Sequence, residues 1–273
     1  MLYVLAGLYV LIIVLLMLLE NYVVYPAPRF PVGDWDPAYL DFENVFFESA
    51  DGTQLHGWYV PHAQPRGYLL YCHGNGEHVA YNADLVQLLN ERYQLGVFIF
   101  DYRGYGRSAG RPNEKGVTAD GHAALGWLLQ REGITAGDVI VMGRSLGGAV
   151  AVDIASQRGA KALVVENTFT RMPDVAATIY WFLPVKLFMR NRFNSLAKIK
   201  DFKGPLLLSH GKRDSIVPFE LGKRLYDASE SVDKQLFVVD NGDHNDRQPR
   251  EYYQLLDRFF DRILASFDVP KSS

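Results

Sequence analysis

Apolar residues along this chain fall into one long run followed by a series of short runs. The long run, Leu2–Leu19, contains no charged residue. Two short runs, Asn44–Glu48 and Leu55–Val60, flank the turn signal Ala-Asp-Gly-Thr and predict a β-hairpin. Six further runs lack strict alternation, as in strands covered on both faces. They are Tyr68–Cys72, Val97–Phe100, Val139–Met142, Ala162–Val165, Leu206–Ser209 and Gln235–Val239.

Segments with helical spacing separate these runs. They are Tyr81–Arg92, Val117–Gln130, Leu146–Gln157, Pro218–Ser229 and Pro249–Ala265. The alternation predicts an α/β fold: a mostly parallel sheet of about eight strands, an antiparallel start and helices on both faces. The connection at about 168–198 is long, rich in aromatic residues and interrupted by Pro184. We expect a small cap insertion there, although a core helix would also fit.

The first apolar run is long enough to cross a bilayer, because its residues rise roughly 27 Å as a helix. It predicts an N-terminal transmembrane helix, with Tyr22 and Tyr25 at the membrane interface. A cleaved signal peptide would need a basic start and a small-residue cleavage site, and a core helix would be less uniformly apolar. The predicted organisation is an anchor at 1–25, a linker at 26–43 and one α/β domain at 44–273.

Few charged residues indicate on which side of the membrane the α/β domain lies. No Lys or Arg precedes the apolar run, and only Arg29 follows closely. The positive-inside rule therefore has little to count. We expect an uncleaved single-pass anchor with the domain outside the cytoplasm.

Composition excludes several classes of partner. The net charge of -3 and the lack of a long basic run argue against nucleic-acid binding. The single cysteine, Cys72, excludes an internal disulfide and a cysteine-cluster metal site, and we expect a packed thiol. No dinucleotide fingerprint follows the first parallel strand. The sequence predicts no cofactor and no metal.

The strongest chemical signal is Gly143-Arg144-Ser145-Leu146-Gly147, between a buried strand and a helix. Strand, tight glycine-flanked turn and helix form the context of a nucleophile elbow, in which Ser145 stands out at the top of the sheet. An ordinary serine N-cap is the alternative. We predict that Ser145 is a nucleophile.

A serine nucleophile needs a base, and the base needs a carboxylate. Only two histidines follow Ser145 in the sequence, His210 and His244. His244 lies in a polar loop beyond a strand and is the predicted base, whereas His210 continues a strand and shapes the next turn. Asp214, in the loop after the penultimate strand, is the predicted acid. The other two candidates, Asp240 and Asp243, are closer to His244 only along the chain.

An oxyanion hole needs two backbone N–H donors. Leu146, which follows the nucleophile, is predicted to supply one. The other is assigned to Asn75 in His73-Gly74-Asn75-Gly76, where the first parallel strand ends and glycines allow close approach of substrate.

These motifs together resemble the α/β-hydrolase superfamily from about Asn44 to the C-terminus. The resemblance is narrower for the membrane-anchored α/β-hydrolase-domain proteins, a group that includes protein depalmitoylases and lysophospholipid hydrolases. It implies a Ser-Asp-His hydrolase with an N-terminal membrane segment. The Asp101–Ser108 segment is expected to be structural, with Asp101 and Arg103 satisfying buried backbone or one another. The motifs that carry the narrower resemblance are His73–Gly76, Asp101–Ser108, Gly143–Gly148 and His210–Pro218.

The predicted function is hydrolysis of carboxylic esters or thioesters through an acyl-enzyme. The expected partners are a small-molecule or lipid acyl substrate and the membrane. Two alternatives stay open: a catalytically silent hydrolase fold used as a scaffold, and acyl transfer to an alcohol by the same residues. The oligomeric state is not predicted.

Overall fold

A single sheet of eight strands organises the molecule. In the computed structural model, which describes residues 1–265, the strands are β1 (Glu43–Glu48), β2 (Gln54–Val60), β3 (Gly67–Cys72), β4 (Leu95–Asp101), β5 (Val139–Arg144), β6 (Ala162–Glu166), β7 (Leu206–Gly211) and β8 (Lys234–Val239). Their spatial order is β1-β2-β4-β3-β5-β6-β7-β8. Strands β3 to β8 are parallel, and the β1–β2 hairpin joins antiparallel to β4. The predicted sheet is confirmed.

The helices of the described residues include the six that the pattern predicts, with ends shifted by a few residues, and three short ones in the connection at about 168–198. They are α1 (Leu2–Val24), α2 (Ala83–Tyr93), α3 (Glu114–Glu132), α4 (Leu146–Arg158), α5 (Met172–Ile179), α6 (Val185–Phe188), α7 (Ser195–Lys198), α8 (Phe219–Ala228) and α9 (Arg250–Leu264).

Two apolar cores cover the two faces of the sheet. Helices α3, α4 and α8 pack on one face, with Leu125, Val150 and Leu225 fully buried. Helices α2 and α9 pack on the other, with Val86 and Leu256 buried. Each such side chain contributes about 1.5–3 kcal/mol by leaving water. Because both faces are covered, the central strands β3 to β7 are almost entirely buried, whereas the edge strand β1 alternates between buried and exposed residues.

Helix α1 runs beyond the uncharged apolar run, which ends at Leu19, and reaches Val24, close to the end of the predicted anchor at 25. Its mean hydropathy over an 18-residue window is 2.9 and none of that window is buried, so by length and composition it could be a membrane anchor or a signal sequence. The placement of Tyr25 in an interfacial belt was wrong. This side chain is buried, and its hydroxyl donates to Asn191 Oδ1 at 2.8 Å.

The segment between α1 and the sheet lies against the domain. Trp35 stacks on His78 with ring centroids 4.7 Å apart, and the N–H of Phe30 donates to the carbonyl of Gly106 at 3.1 Å. The predicted boundaries at 25 and 43 stay predictions. Residues 266–273 of the predicted domain lie outside the described residues.

The long connection between β6 and β7 holds the three short helices α5, α6 and α7, at the place predicted for a cap. Leu183, Val185 and Met189 form a third apolar cluster there. Three residues of α1, Ile13, Leu16 and Val24, pack against this cluster. The cap segment therefore contacts α1 as well as the sheet.

The loop after β4 is structural, as predicted, but Asp101 and Arg103 do not pair with one another. Asp101 accepts from the N–H of Val79 at 2.9 Å and lies 3.1 Å from His56 Nδ1. Arg103 donates instead to Asp120 at 2.7 Å. Its side chain can reach α3 because Gly116 leaves room where a Cβ would collide with it.

Candidate active site

Ser145 occupies a strained turn between β5 and α4. Its φ of 53° and ψ of -117° lie where a side chain is disfavoured, which is characteristic of functional positions. Gly143 and Gly147 allow the turn, because a Cβ on either would collide with backbone of Gly147 or Cys72 respectively. The N–H of Ser145 donates to the carbonyl of Glu166 at 2.8 Å, which fixes the turn to β6.

The three side chains predicted as nucleophile, base and acid lie together. Ser145 Oγ is 3.1 Å from His244 Nε2, and His244 Nδ1 is 2.7 Å from Asp214 Oδ2. His244 and Asp214 are buried. Hydrogen bonds at these distances form one chain from the hydroxyl to the carboxylate. Asp240 and Asp243 take no part in it: they bind Lys212 and Ser215.

The surroundings of Asp214 favour its charged form. Burial alone would raise its pKa, but hydrogen bonds from His210, His244 and the N–H of Val217 hold the pKa below its usual range. The Val217 N–H donates to Asp214 Oδ1 at 2.6 Å. His210 Nε2 lies 3.3 Å from the carboxylate and 2.8 Å from the Val217 carbonyl, so His210 shapes this turn as expected.

The two predicted oxyanion donors line the same cavity as Ser145. Leu146 is the first residue of α4, where a helix leaves its N–H groups unpaired. Asn75 lies just beyond β3. Within residues 1–265, neither backbone N–H donates to another protein group.

Two further residues contact the backbone of His244, the predicted base. Neither was predicted as a site residue from the sequence. Asn167 Nδ2 donates to the carbonyl of His244 at 2.9 Å, and Arg144 donates to the same oxygen. Asn167 Oδ1 also accepts from the N–H of Gly211 at 3.2 Å. A signal did exist, since Arg144 belongs to the serine motif and Asn167 comes two residues after the predicted strand Ala162–Val165.

A cavity of about 380 Å³ opens over Ser145 and His244. This volume falls within the range of small-molecule sites. Its walls are mostly apolar, and most of the apolar side chains come from two parts of the chain. Helix α1 and the residues after it contribute Leu16, Val23, Val24 and Pro26, and the cap segment contributes Met172, Val175, Ile179, Val185, Phe188 and Met189.

The junction of α1 with the cap is polar and buried. The carboxylate of Glu20 accepts from the N–H groups of Arg190 and Asn191 at 2.9 and 2.7 Å, and from Asn191 Nδ2 at 2.8 Å. Asn75 ties the end of α1 to the domain, since its Nδ2 donates to the carbonyl of Val24 at 2.6 Å. The cavity wall made by α1 is thus fixed at both sides.

No group of His, Cys, Asp and Glu side chains suited to a metal ion occurs in the part of the chain that the structure describes. Cys72 is buried in β3 as expected, and burial raises the pKa of its thiol. It is therefore a packing residue rather than a nucleophile.

Comparison with protein families gives one match that spans half of the chain. The family model described as serine aminopeptidase, S33, matches residues 63–199. Two relatives are similar over most of their length. Uncharacterized protein Rv2307c of Mycobacterium tuberculosis is 37% identical over 216 residues, which cover 78% of this chain and 76% of the relative. Alpha/beta hydrolase domain-containing protein WAV2 of Arabidopsis thaliana is 32% identical over 226 residues, covering 76% of this chain and 73% of that protein.

Among solved structures, the esterase Pf2001 of Pyrococcus furiosus superposes with a TM-score of 0.74. The superposition covers 87% of this chain and 97% of the esterase, at 21% sequence identity. At that identity the likeness concerns the fold alone.

Proposed function

Because the chain belongs to the α/β-hydrolase superfamily, we propose that it is a serine hydrolase that cleaves carboxylic esters or thioesters through an acyl-enzyme. The observation that carries the proposal is the 3.1 Å distance from Ser145 Oγ to His244 Nε2 at the floor of an apolar cavity. A hydroxyl so placed can lose its proton to the imidazole as it attacks.

Each residue has a role in the proposed reaction. Ser145 Oγ attacks the acyl carbon while His244 Nε2 takes its proton, and the charged Asp214 stabilises the imidazolium that forms. The N–H groups of Leu146 and Asn75 bind the oxyanion. His244 then gives the proton to the leaving alcohol or thiol, and water releases the acid in a second cycle.

The walls of the cavity favour an acyl chain as the group that is transferred. Apolar side chains from α1 and the cap surround the space next to Ser145, so alkyl carbon placed there leaves water. The family description names serine aminopeptidases, but the two acidic residues that line the cavity, Glu20 and Glu77, already accept hydrogen bonds from protein groups, and a charged amino group would otherwise meet mostly apolar walls. We therefore expect fatty-acyl esters or thioesters to be better substrates than amino-acid amides.

Retention of α1 as a membrane anchor is part of the proposal. A signal sequence would be removed, and its removal would strip Leu16, Val23 and Val24 from the cavity and leave the partners of Glu20 unpaired. Buried N–H groups without acceptors are costly. These contacts support an anchor that stays attached to the folded domain.

A fluorophosphonate probe tests the proposed chemistry. We expect stoichiometric labelling of Ser145, loss of labelling in Ser145→Ala, and hydrolysis of p-nitrophenyl esters and acyl thioesters that improves with chain length. Amino-acid p-nitroanilides should be poor substrates.

Ser156→Ala is the matched control, because Ser156 lies on the same helix and its hydroxyl only donates to the carbonyl of Asp153. This variant should label like the original protein. A folded protein, judged by circular dichroism, in which Ser145 does not react would contradict the proposal.

A further inference from the structure

Three large apolar side chains of the cap segment point into solvent. Trp181 and Leu187 are each 81% exposed and Phe182 is 53% exposed. We call these three residues the cap patch. Moving apolar side chains of this size out of water lowers the free energy, so such an exposed cluster indicates an interaction surface.

The cap patch lies beside the middle of α1. The hydroxyl of Tyr9 donates to the carbonyl of Phe182 at 2.9 Å. Next to it, Leu183 and Val185 pack against Ile13 and Leu16 of α1. The patch and the lipid-like surface of α1 are therefore continuous.

The length of α1 determines how these two surfaces meet a bilayer. From Glu20 to Tyr9 the helix rises roughly 16 Å, about half of a 30 Å hydrocarbon layer. The part beyond the contact with Phe182, Leu2–Leu8, adds only about 10 Å. Helix α1 therefore cannot enter a bilayer to a useful depth without carrying the cap patch with it.

Part of the backbone next to the patch is already hydrogen-bonded internally, as an apolar environment requires. The N–H groups of Leu183, Leu187 and Met189 donate to carbonyls of Tyr180, Pro184 and Val185 at 2.9, 2.9 and 3.0 Å. The Phe182 carbonyl is satisfied by Tyr9. Docking to lipid would cost these groups little.

We propose that the cap patch is a membrane-docking surface that enters one leaflet of the bilayer together with α1. The inference rests on the proposed anchoring role of α1. Ile179 and Phe188 of the cap, with Leu16 and Val23 of α1, wall the cavity over Ser145. An acyl chain in that leaflet thus reaches the cavity without crossing water.

Site-directed fluorescence in the full-length protein tests the docking. In a Cys72→Ser background, Leu187→Cys is labelled with an environment-sensitive nitrobenzoxadiazole dye and the protein is placed in phosphatidylcholine vesicles. We expect a blue shift and quenching by lipids brominated on their acyl chains. Val232→Cys is the matched control, since Val232 is a fully exposed apolar residue before β8 and should stay in water. Leu5→Cys reports whether α1 has entered the lipid.

The outcomes separate the ideas. Docking is overturned if the Leu187 label behaves like the Val232 label, whether or not the Leu5 label is quenched. It is also overturned if the Leu187 label shifts with protein concentration in lipid-free detergent, because a second copy would then cover the patch. Fluorophosphonate labelling of Ser145 in the same vesicles is scored separately, so the hydrolase proposal can survive when docking fails.

Activity gives a second readout. Trp181→Asp with Leu187→Asp should lower hydrolysis of a long-chain ester held in vesicles by about tenfold or more. Hydrolysis of a soluble acetyl ester should stay unchanged, because neither side chain lines the cavity. Val232→Asp should change neither rate. Full activity of the double variant on the vesicle substrate would overturn the proposal.

Discussion

Asn167 links the loop that carries His244 to the strand that leads to Asp214. Its amide donates to the carbonyl of His244 and accepts from the N–H of Gly211, on the strand that leads to Asp214. Its φ of 45° is a left-handed conformation that asparagine tolerates better than most residues. Asn167 therefore holds the backbone of His244 and does not line the cavity over Ser145.

We predict that Asn167→Asp lowers kcat about ten- to a hundredfold and leaves KM almost unchanged. The carboxylate keeps the acceptor for Gly211 but loses the donor to His244, and small misplacements of a catalytic group are costly. Steady-state kinetics with a short soluble ester measures both constants. Asn241→Asp makes the same change at an exposed position and should have no effect. A rise in KM at constant kcat would assign Asn167 to binding instead.

Motif and chain order were sufficient to select Ser145, Asp214 and His244, whose catalytic roles stay predictions. They were not sufficient for Asn167 or Arg144. The contact that gives these two residues a function is to the carbonyl of His244, which is 77 and 100 positions away along the chain respectively. Only the folded sheet brings that oxygen to them, so their positions in the motif and after a strand did not reveal this contact.

At the scale of elements, one buried carboxylate, that of Glu20, joins α1 to the cap alongside apolar contacts. In the sequence, Glu20 is the first charged residue after the apolar run, so its side chain is expected to lie in water. In the fold it is buried, its partners lie 170 and 171 positions away, and the helix continues beyond it. The burial of Glu20 could not be predicted, because only the fold brings the partners of its carboxylate to it.

We predict that Glu20→Ala loosens the cap without unfolding the domain. The N–H groups of Arg190 and Asn191 would lose a charged acceptor, at a cost of about 1–3 kcal/mol. Hydrogen–deuterium exchange should accelerate across residues 180–192 and stay unchanged in α4. Glu91→Ala, at an exposed position on α2, is the control. Equal acceleration in α4 would mean that Glu20 supports the whole fold instead of the cap.

For the whole molecule, the three apolar clusters have different dependence on α1. The clusters on the two faces of the sheet include from residues 1–24 only a partly buried Val24, whereas the third cluster joins Ile13 and Leu16 to the cap. The mostly parallel sheet was predictable because its strands are short apolar runs separated by helix-length segments. The third cluster was not predictable, because the apolar run Leu2–Leu19 would look the same in a membrane helix that has no contact with the domain.

This separation leads to a prediction for a chain that starts at Tyr25. The two sheet cores stay intact, so we expect a cooperative thermal transition and hydrolysis of an acetyl ester within a few-fold of the full chain. The preference for long acyl chains should fall about tenfold or more, since Leu16, Val23 and Val24 no longer wall the cavity. The measurement is kcat/KM over a series of p-nitrophenyl esters in the same detergent.

A pair of full-length variants distinguishes the effect of Leu16 as part of the cavity wall from the effect of lowering the hydropathy of α1. Leu16→Asn places an amide in the wall, whereas Leu18→Asn makes the same change at a residue that is 70% exposed and outside the cavity. Only the first should reduce the long-chain preference, because burying an unpaired amide against the acyl chain is unfavourable. If the shortened chain and Leu16→Asn both kept the original preference, the acyl group would have to lie against the cap alone, and α1 would serve only to hold the enzyme at the membrane.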